Sequence, residues 1–511
     1  MGDFAALEAL IAGVIDPLFA IHRFGQFDGG KGFAYASGSP EQHGVGNAAA
    51  LEDLAKKKAA LKNRTRADDS PDFLSQEVHR FVDAGPVPSL DEARRAEDLA
   101  VRLSAIFRDM PSVNSSEVRI RQSVAVNRYA NSEGSSYVRI APRTRVFATG
   151  STQAVDGMPL HDFVNVFGRG FDDLPPVEEL ERQVRAMGSR LTALREAPLL
   201  ESYNGPVLFE GQAAAELLVQ VLVPRLLADR QPMSENPQLE MMLGMSRGEG
   251  PWIDRIGARV MPRFLSLVDD PTLNEYGGQV LHGGYAVDDD GVPASPTELI
   301  AAGTLRTLLS TRTPVRGIER SSGNRRGGGP APSNLILTVS DGATKEELRL
   351  EMIDLVTGRG LKYGVVIRRV VNPAVQMAID PMGAVAVMIA GGGLQQGLKP
   401  AIEAVKVFPD GREELVRNVE LTDVSAAAFR DIALAGADMA VTTLTLQAGG
   451  GSGLGFLMSL GSGGQPGDTA MLVSVAAPSL LFEELTLKRP TGEIPRPPLS
   501  AHPFFGMRSV R

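Results

Sequence analysis

Cysteine does not occur in this sequence of 511 residues. The chain can therefore form no disulfide, thiolate nucleophile, iron–sulfur cluster or cysteine-containing zinc site. The 6 histidines are similarly restrictive, because none lies three to five residues from another and no helix can present two imidazoles to one metal ion. The lack of cysteine fits a reducing compartment, and we expect the protein in the cytoplasm.

An excess of basic residues is also lacking. Lysine and arginine number 52 against 61 aspartates and glutamates, which gives a formal charge of −9. Nucleic-acid binding needs clustered cations to neutralise phosphates, so we expect no nucleic-acid partner. The apolar run Phe4–Ala20 is interrupted by Glu8 and Asp16 and is shorter than the ~20 residues of a membrane-spanning helix. Nothing basic precedes it, so we interpret it as an amphipathic helix and expect no membrane or export segment.

The first 200 residues combine helical and alternating patterns. Gly25–Asn47 is rich in Gly, Ser and Gln and is typical of a loop or irregular arm. Ala48–Arg66 predicts a solvent-facing helix, and Leu90–Asp109 and Val177–Ala197 predict two further helices. From Ser116 to Met158 apolar and polar residues alternate around a turn at Asn131–Gly134, which predicts a long hairpin.

The second half is dominated by strand patterns. It opens with a short strand, Pro206–Phe209, and a helical stretch, Gln212–Asp229, which Pro224 should kink or end. Strand-like runs follow almost to the end of the chain. The sequence therefore predicts an α+β fold with three parts: an irregular arm plus helix over 1–47, a helix/sheet domain over 48–200 and a β-rich domain over 201–511.

Three segments could carry chemistry. The glycine-dense run Ala448–Asp468 has no lysine for a phosphate-binding loop and favours a surface loop. Val287–Gly291 clusters three aspartates without the spacing of a calcium loop and favours a hairpin turn. Ser321–Asn334 is a polar loop with Asn324, Arg325 and Arg326, and adjacent arginines can hold a carboxylate or a peptide backbone.

Several short motifs follow one another in the second part of the chain: NRYANSEG, DGMPLHDF, GPVLFEGQAAAELL, GNRRGGGPAPSNLIL and APSLLFEELTLKRP. With their neighbours they span roughly Ser116 to Arg511. In their order and spacing they resemble the TldD/PmbA family. Members of this family were long named modulators of DNA gyrase and are understood as peptidases of the TldD–TldE type. The resemblance implies a helix/sheet domain followed by a β-rich domain.

The resemblance also implies where a zinc site would lie. In catalytic members a His-Glu-x-x-x-His helix follows the PVL strand, and two histidines and a distal cysteine hold zinc. By register, the corresponding positions here are Val219, Gln220 and Pro224. Valine and proline side chains offer no lone pair to a metal, and glutamine is no base, so the resemblance implies a zinc-less member with no catalytic residue and no cofactor of its own.

We therefore expect the non-catalytic, TldE-like subunit of a dimeric metallopeptidase that acts on peptides. Its partner would be a zinc-bearing, TldD-like paralogue, and Asn324, Arg325 and Arg326 would face the substrate, as the resemblance implies. Two alternatives stay open. One is a hydrolase with a non-zinc site that uses Glu210 or Glu216, since Glu216 and Gln220 share a helix face; the other is a homodimeric peptide-binding protein.

Overall fold

The protein is described by a computed structural model. It covers residues 20–27, 30–37, 56, 73–84, 90–131, 133–230, 250–379, 398–421, 423–446, 471–489 and 498–499.

Strands make up most of the regular structure. In chain order they are β1 Ala20–Phe27, β2 Gly30–Ser37, β3 Arg80–Ala84, β4 Ser115–Ala130, β5 Ser136–Gln153, β6 Pro159–Gly168, β7 Tyr203–Phe209, β8 Leu265–Asp269, β9 Glu275–Tyr276, β10 Gln279–Val280, β11 Thr297–Ala301, β12 Thr304–Leu305, β13 Arg325–Arg326, β14 Gly329–Pro330, β15 Asn334–Val339, β16 Gly364–Val370, β17 Ala401–Val407, β18 Glu413–Val416, β19 Ile432–Ala435, β20 Ala440–Leu446, β21 Met471–Ala477 and β22 Leu480–Leu487.

The helices are fewer, and several are single turns. The α-helices are α1 Leu90–Ala105, α2 Val177–Leu194, α3 Gln212–Leu217, α4 Lys345–Gly358 and α5 Pro373–Ile379. A π-helical turn, Leu218–Leu222, continues α3, and 3₁₀ turns lie at Ile106–Asp109, Val223–Arg225, Ile253–Arg255 and Ala426–Asp431.

The long hairpin predicted from the alternating sequence is confirmed. Strands β4 and β5 pair antiparallel along their whole length, and β3 and β6 pair with the two halves of the other edge of β5. Helix α1 contacts β4, and α2 contacts β5 and β6. The apolar residues of α2 recur every three or four positions, so one stripe of the helix packs on the sheet; Val184, Met187 and Leu191 are 0% exposed.

Two six-stranded sheets form the second half. One has the order β18-β17-β16-β7-β22-β19 and the other β12-β11-β8-β15-β21-β20, and most neighbours in both are antiparallel. Helix α3 contacts β16 of the first sheet and β20 and β21 of the second. A single apolar cluster joins α3 and its π turn to both sheets. This position makes α3 part of the core of the second half.

Several helix predictions are confirmed with small changes of bounds. Helix α1 with the following turn ends at Asp109 as expected, and α2 ends three residues before Ala197. The helix expected over Gln212–Asp229 changes to a π turn at Leu218 and ends at Arg225. Pro224 accounts for this ending, because proline has no N–H to donate to the preceding turn.

One expectation was wrong and one helix was missed. Part of the arm expected to be irregular, Gly25–Asn47, belongs to the antiparallel pair β1–β2; the high glycine content of this stretch concealed its strands. Helix α4 was missed in a half expected to be β-rich. Its signal is a capping box, in which Thr344 accepts the N–H of Glu347 and Glu347 accepts the N–H of Thr344.

Some expectations fall outside the described residues or stay untested. The helices expected over Phe4–Ala20 and Ala48–Arg66 and the glycine-dense run Ala448–Asp468 lie outside them, apart from Ala20 and Lys56. The domain boundaries stay predictions; Val375 and Ile402 of the second half join the apolar cluster of the first. In the described part of the chain, no helix combines the length and apolar character needed to span a bilayer.

Candidate functional site

Glu216 lies near the end of α3, the helix that follows β7. Its side chain is 0% exposed. Three amide groups donate hydrogen bonds to its carboxyl oxygens: Gln220 at 2.7 Å, Asn372 at 3.0 Å and Gln212 at 3.1 Å. Gln212 and Glu216 of α3 and Gln220 of the π turn lie four residues apart on one helical face, as the sequence predicted for the last two.

Burial changes the acidity of this carboxyl group. Removal from water raises the pKa of Glu216 to about 7, although the amides of Gln220, Asn372 and Gln212 and the charge of Arg369 act in the opposite direction. A carboxylate surrounded by donors alone would be more acidic than usual, so the loss of hydration is the larger effect.

The two glutamines also bind the backbone at the end of β16. Gln212 accepts the N–H of Val370 at 2.9 Å and donates to its carbonyl oxygen at 2.9 Å. Gln220 donates to the carbonyl oxygen of Val371 at 2.9 Å and accepts the N–H of Lys399 at 2.9 Å. Both amides are thus fully engaged in holding α3 to its neighbours, and Gln220 has a structural partner for its oxygen and its nitrogen.

The positions at which the resemblance implies a zinc motif do not fit a zinc ion. Val219 is 4% exposed and packs in the apolar cluster, and Pro224 lies in the 3₁₀ turn. Neither side chain has a donor atom for a metal, and Zn²⁺ is held by imidazole, thiolate or carboxylate groups. Over the described ranges, no three His, Asp or Glu side chains converge into a potential metal site.

A cavity of about 260 Å³ adjoins Glu216. Its walls come from both halves of the chain: β6 and α2 on one side, and α3, β16, α5 and β20 on the other. The lining residues are Phe163, Val164, Asn165, Gln183, Ala186, Arg190, Gln212, Glu216, Arg369, Asn372, Val375, Thr442, Thr443, Leu444 and Thr445.

Two arginines of the cavity share one buried carboxylate behind them. Asp162 is 0% exposed; Arg190 contacts its Oδ2 through Nε at 2.9 Å and through Nη2 at 2.8 Å. Nη2 of Arg369 lies 3.1 Å from Oδ1 of Asp162 and donates to the carbonyl oxygen of Phe163 at 2.8 Å. The carboxylate therefore fixes two guanidinium groups side by side at the cavity wall.

The arginine-bearing segment is a short hairpin, not an open loop. Asn324 is buried and donates to Asp269 at 2.7 Å. Arg326 donates to the carbonyl oxygens of Pro332 at 2.5 Å and Leu472 at 3.0 Å. The backbone N–H of Arg325 donates to Asp288 at 3.0 Å. These contacts stabilise the hairpin, and a role of the three residues in substrate binding stays a prediction.

The aspartate-rich turn at Val287–Gly291 is confirmed as a hairpin turn. Asp288 accepts the backbone N–H of Asp290 at 2.9 Å and of Val292 at 2.8 Å, in addition to that of Arg325. Burial raises the pKa of Asp288 to about 7. The same effect raises the pKa of Asp269 to about 6.

Sequence reasoning missed the group formed by Asp162, Arg190 and Arg369. The three residues are far apart in the chain, and local spacing cannot bring them together. One signal was available: Arg368 and Arg369 interrupt the apolar strand GVVIRRVV, and charged residues in a buried strand need a partner.

Residues 202–399 match the family model of the PmbA/TldA metallopeptidase C-terminal domain. Among solved structures, the chain is similar to a proposed modulator of a DNA gyrase from Thermotoga maritima, with 17% identity, a TM-score of 0.54 and coverage of 92% of this chain and 93% of that one. TldE from Thermococcus kodakarensis is also similar, with 15% identity, a TM-score of 0.50 and coverage of 91% of this chain and 89% of that one.

The chain is likewise similar to a proposed modulator of DNA gyrase from Bacteroides thetaiotaomicron, with 10% identity, a TM-score of 0.52 and coverage of 93% of this chain and 92% of that one. At these identities the likeness is one of fold. A search of curated proteins gives no match. The expected α+β fold of the TldD/PmbA type is thereby confirmed.

Proposed function

We propose that this chain, whose residues 202–399 match the model of the PmbA/TldA metallopeptidase C-terminal domain, is a TldD/PmbA-like protein and the non-catalytic subunit of a dimeric metallopeptidase. In this role it holds a peptide substrate, while a zinc-bearing, TldD-like paralogue cleaves it. The chain itself requires no cofactor.

The observation that supports this proposal is that Gln220 carries an amide whose oxygen and nitrogen both have hydrogen-bond partners. An amide has no acidic proton to gain or lose near neutral pH, and both of its ends are engaged, with Glu216, Val371 and the N–H of Lys399. The neighbouring motif positions carry the hydrocarbon side chains of Val219 and Pro224. By the register that the resemblance implies, this helix corresponds to the catalytic helix of zinc-bearing members, and its hydrogen bonds are those of a structural helix.

A peptidase that acts alone through Glu216 is the second candidate. The raised pKa and the adjoining cavity favour it, because a general base works best with a pKa near the working pH. Its geometry is less suitable: the carboxyl group is 0% exposed and accepts three amide donors. A substrate or water molecule would have to displace one of them.

Co-expression with the zinc-bearing paralogue tests the proposal. We expect the two chains to purify as one complex that cleaves an unfolded polypeptide, while the chain alone does not. Changing the glutamate of the His-Glu-x-x-x-His motif in the paralogue should abolish cleavage. Glu216→Gln in this chain should leave the rate of the complex within about twofold, since it removes no catalytic group.

Two outcomes would decide against the proposal. Cleavage by the purified chain alone, lost in Glu216→Gln, would establish the second candidate. A stable homodimer that never binds the paralogue would favour a homodimeric peptide-binding protein. The cytoplasmic location, the absence of a nucleic-acid partner and the peptide-facing role of Asn324, Arg325 and Arg326 are part of the same proposal.

A further inference from the structure

Arg190 and Arg369 each have guanidinium N–H groups that no acceptor in the described residues uses. Each guanidinium group offers five N–H bonds, and the contacts with Asp162 and Phe163 use Nε and Nη2 of Arg190 and Nη2 of Arg369. Neither Nη1 has a hydrogen-bond acceptor among the residues that the structure describes. The two side chains are 22% and 21% exposed, and both line the cavity. Ligand oxygens can therefore reach them.

The side chains that line the cavity carry more cationic than acidic groups. Arg190 and Arg369 face the cavity, and Glu216 is the only acidic residue among those that line it. Behind the wall, Asp162 and Glu403 balance the charges of the two arginines; Glu403 lies 3.6 Å from Nε of Arg190 and 3.9 Å from Arg368. The cavity therefore offers a ligand the guanidinium N–H groups that these carboxylates leave unused.

The size of the cavity limits the ligand. A volume of about 260 Å³ lies just below the roughly 300–1,000 Å³ of sites for drug-sized molecules. It suits one or two amino-acid residues. Polar groups on the other walls, among them the side chains of Gln183 and Asn165, can bind the amide groups of such a ligand.

We propose that this cavity binds the free α-carboxylate of a peptide C-terminus or of an amino acid, with Arg190 and Arg369 as its donors. Two planar guanidinium groups side by side match the two oxygens of a carboxylate. Asp162 is a positioning residue that fixes both groups. The inference rests on the proposed function as a peptide-holding subunit and specifies which end of the peptide is held.

Calorimetric titration of the full chain with three ligands tests the proposal without any mutation. The ligands are N-acetyl-trialanine with a free carboxylate, the same peptide as its C-terminal amide, and free alanine. We expect amidation to weaken binding at least tenfold, because it removes the charge that the arginines bind. Equal binding of the acid and the amide would overturn the proposal. Binding of alanine as tight as that of the tripeptide acid would identify an amino acid as the ligand, and much weaker binding would identify a peptide C-terminus.

Substitutions then locate the site. Arg190→Lys and Arg369→Lys keep the positive charge and the contact with Asp162 but lose the planar guanidinium group with its paired N–H donors. Each should weaken binding of the peptide with a free carboxylate at least fivefold, with little effect on binding of the peptide amide. Arg182→Gln is the matched control, since Arg182 lies on the same helix and is 75% exposed. A thermal unfolding curve shows whether each variant is folded. Unchanged binding of the acid by both folded lysine variants would refute the assignment.

Pairing with the paralogue, measured separately by the mass of the complex, keeps the two proposals distinguishable. Carboxylate binding without pairing would overturn the proposed function alone. Pairing without discrimination between acid and amide would overturn this inference alone.

Discussion

Glu216→Gln should change how stability depends on pH. In the native protein the carboxyl group has a pKa of about 7, against an ordinary value of 4.5. The folded state therefore holds a proton that the unfolded state has already lost between these two values. The stabilising contribution of Glu216 is complete below pH 4.5 and is lost as the pH rises through 7.

The magnitude follows from the two pKa values. A shift of one pKa unit corresponds to about 1.4 kcal/mol, and the full difference corresponds to roughly 3 kcal/mol of unfolding free energy. Between pH 5 and pH 8 the native protein should lose about 2–3 kcal/mol through this group. Glutamine cannot ionise, so the variant lacks this loss, and its stability relative to the native protein should rise by the same amount across the window. Asp269 and Asp288 contribute equally to both proteins, and the comparison cancels them.

Urea unfolding at pH 5, 6, 7 and 8 measures this difference. Trp252, the single tryptophan, is 7% exposed and belongs to the apolar cluster that contains α3, so its fluorescence reports on the relevant core. Glu298→Gln, at an exposed position of β11, is the control and should leave the pH dependence unchanged. If the curves for the native protein and Glu216→Gln run parallel from pH 5 to pH 8, the carboxyl group is ionised throughout and the account of its burial is wrong.

Three further predictions concern stability, each measured by urea unfolding. Arg312 is 0% exposed, pairs with Glu133 and donates to the carbonyl oxygen of Leu74 at 2.6 Å. Arg312→Met should destabilise the protein by about 3 kcal/mol, because it breaks a buried ion pair. A loss below about 1 kcal/mol would contradict the stabilising role of this pair. Gly303→Ala should destabilise the protein by about 3 kcal/mol, because φ is +74° and the new Cβ would lie 2.3 Å from the carbonyl oxygen of Met261. Gly411→Ala, where φ is +81° and no atom lies near the new Cβ, should destabilise it by about 1 kcal/mol. Equal losses of stability in the two variants would refute the steric argument. Thr344→Ala should destabilise by about 1 kcal/mol through the lost capping box of α4, and a neutral result would show that the cap is dispensable.

The sequence was most informative where a pattern is local. Alternation predicted β4 and β5, helical spacing predicted α1 and α2, and Pro224 predicted the end of the helix after β7. These features depend on residues close together in the chain, and the physical preference acts on each segment alone.

The candidate site depended on contacts between distant residues. The i, i+4 spacing predicted that Glu216 and Gln220 meet, but nothing in the sequence placed Asn372 beside them. The pairing of Asp162 with Arg190 and Arg369 arises because α2 contacts β6 within the first half, and Arg369 of β16 in the second half reaches β6. Such contacts are fixed by the tertiary fold, and only the two arginines within an apolar strand indicated that a buried partner was needed.

The zinc content of the purified chain, expressed without its paralogue and measured by mass spectrometry of the metal, tests the central claim most directly. With Val219, Gln220 and Pro224 at the motif positions, we predict zinc far below one atom per chain. Equimolar zinc that survives dialysis against a weak chelator would contradict the account.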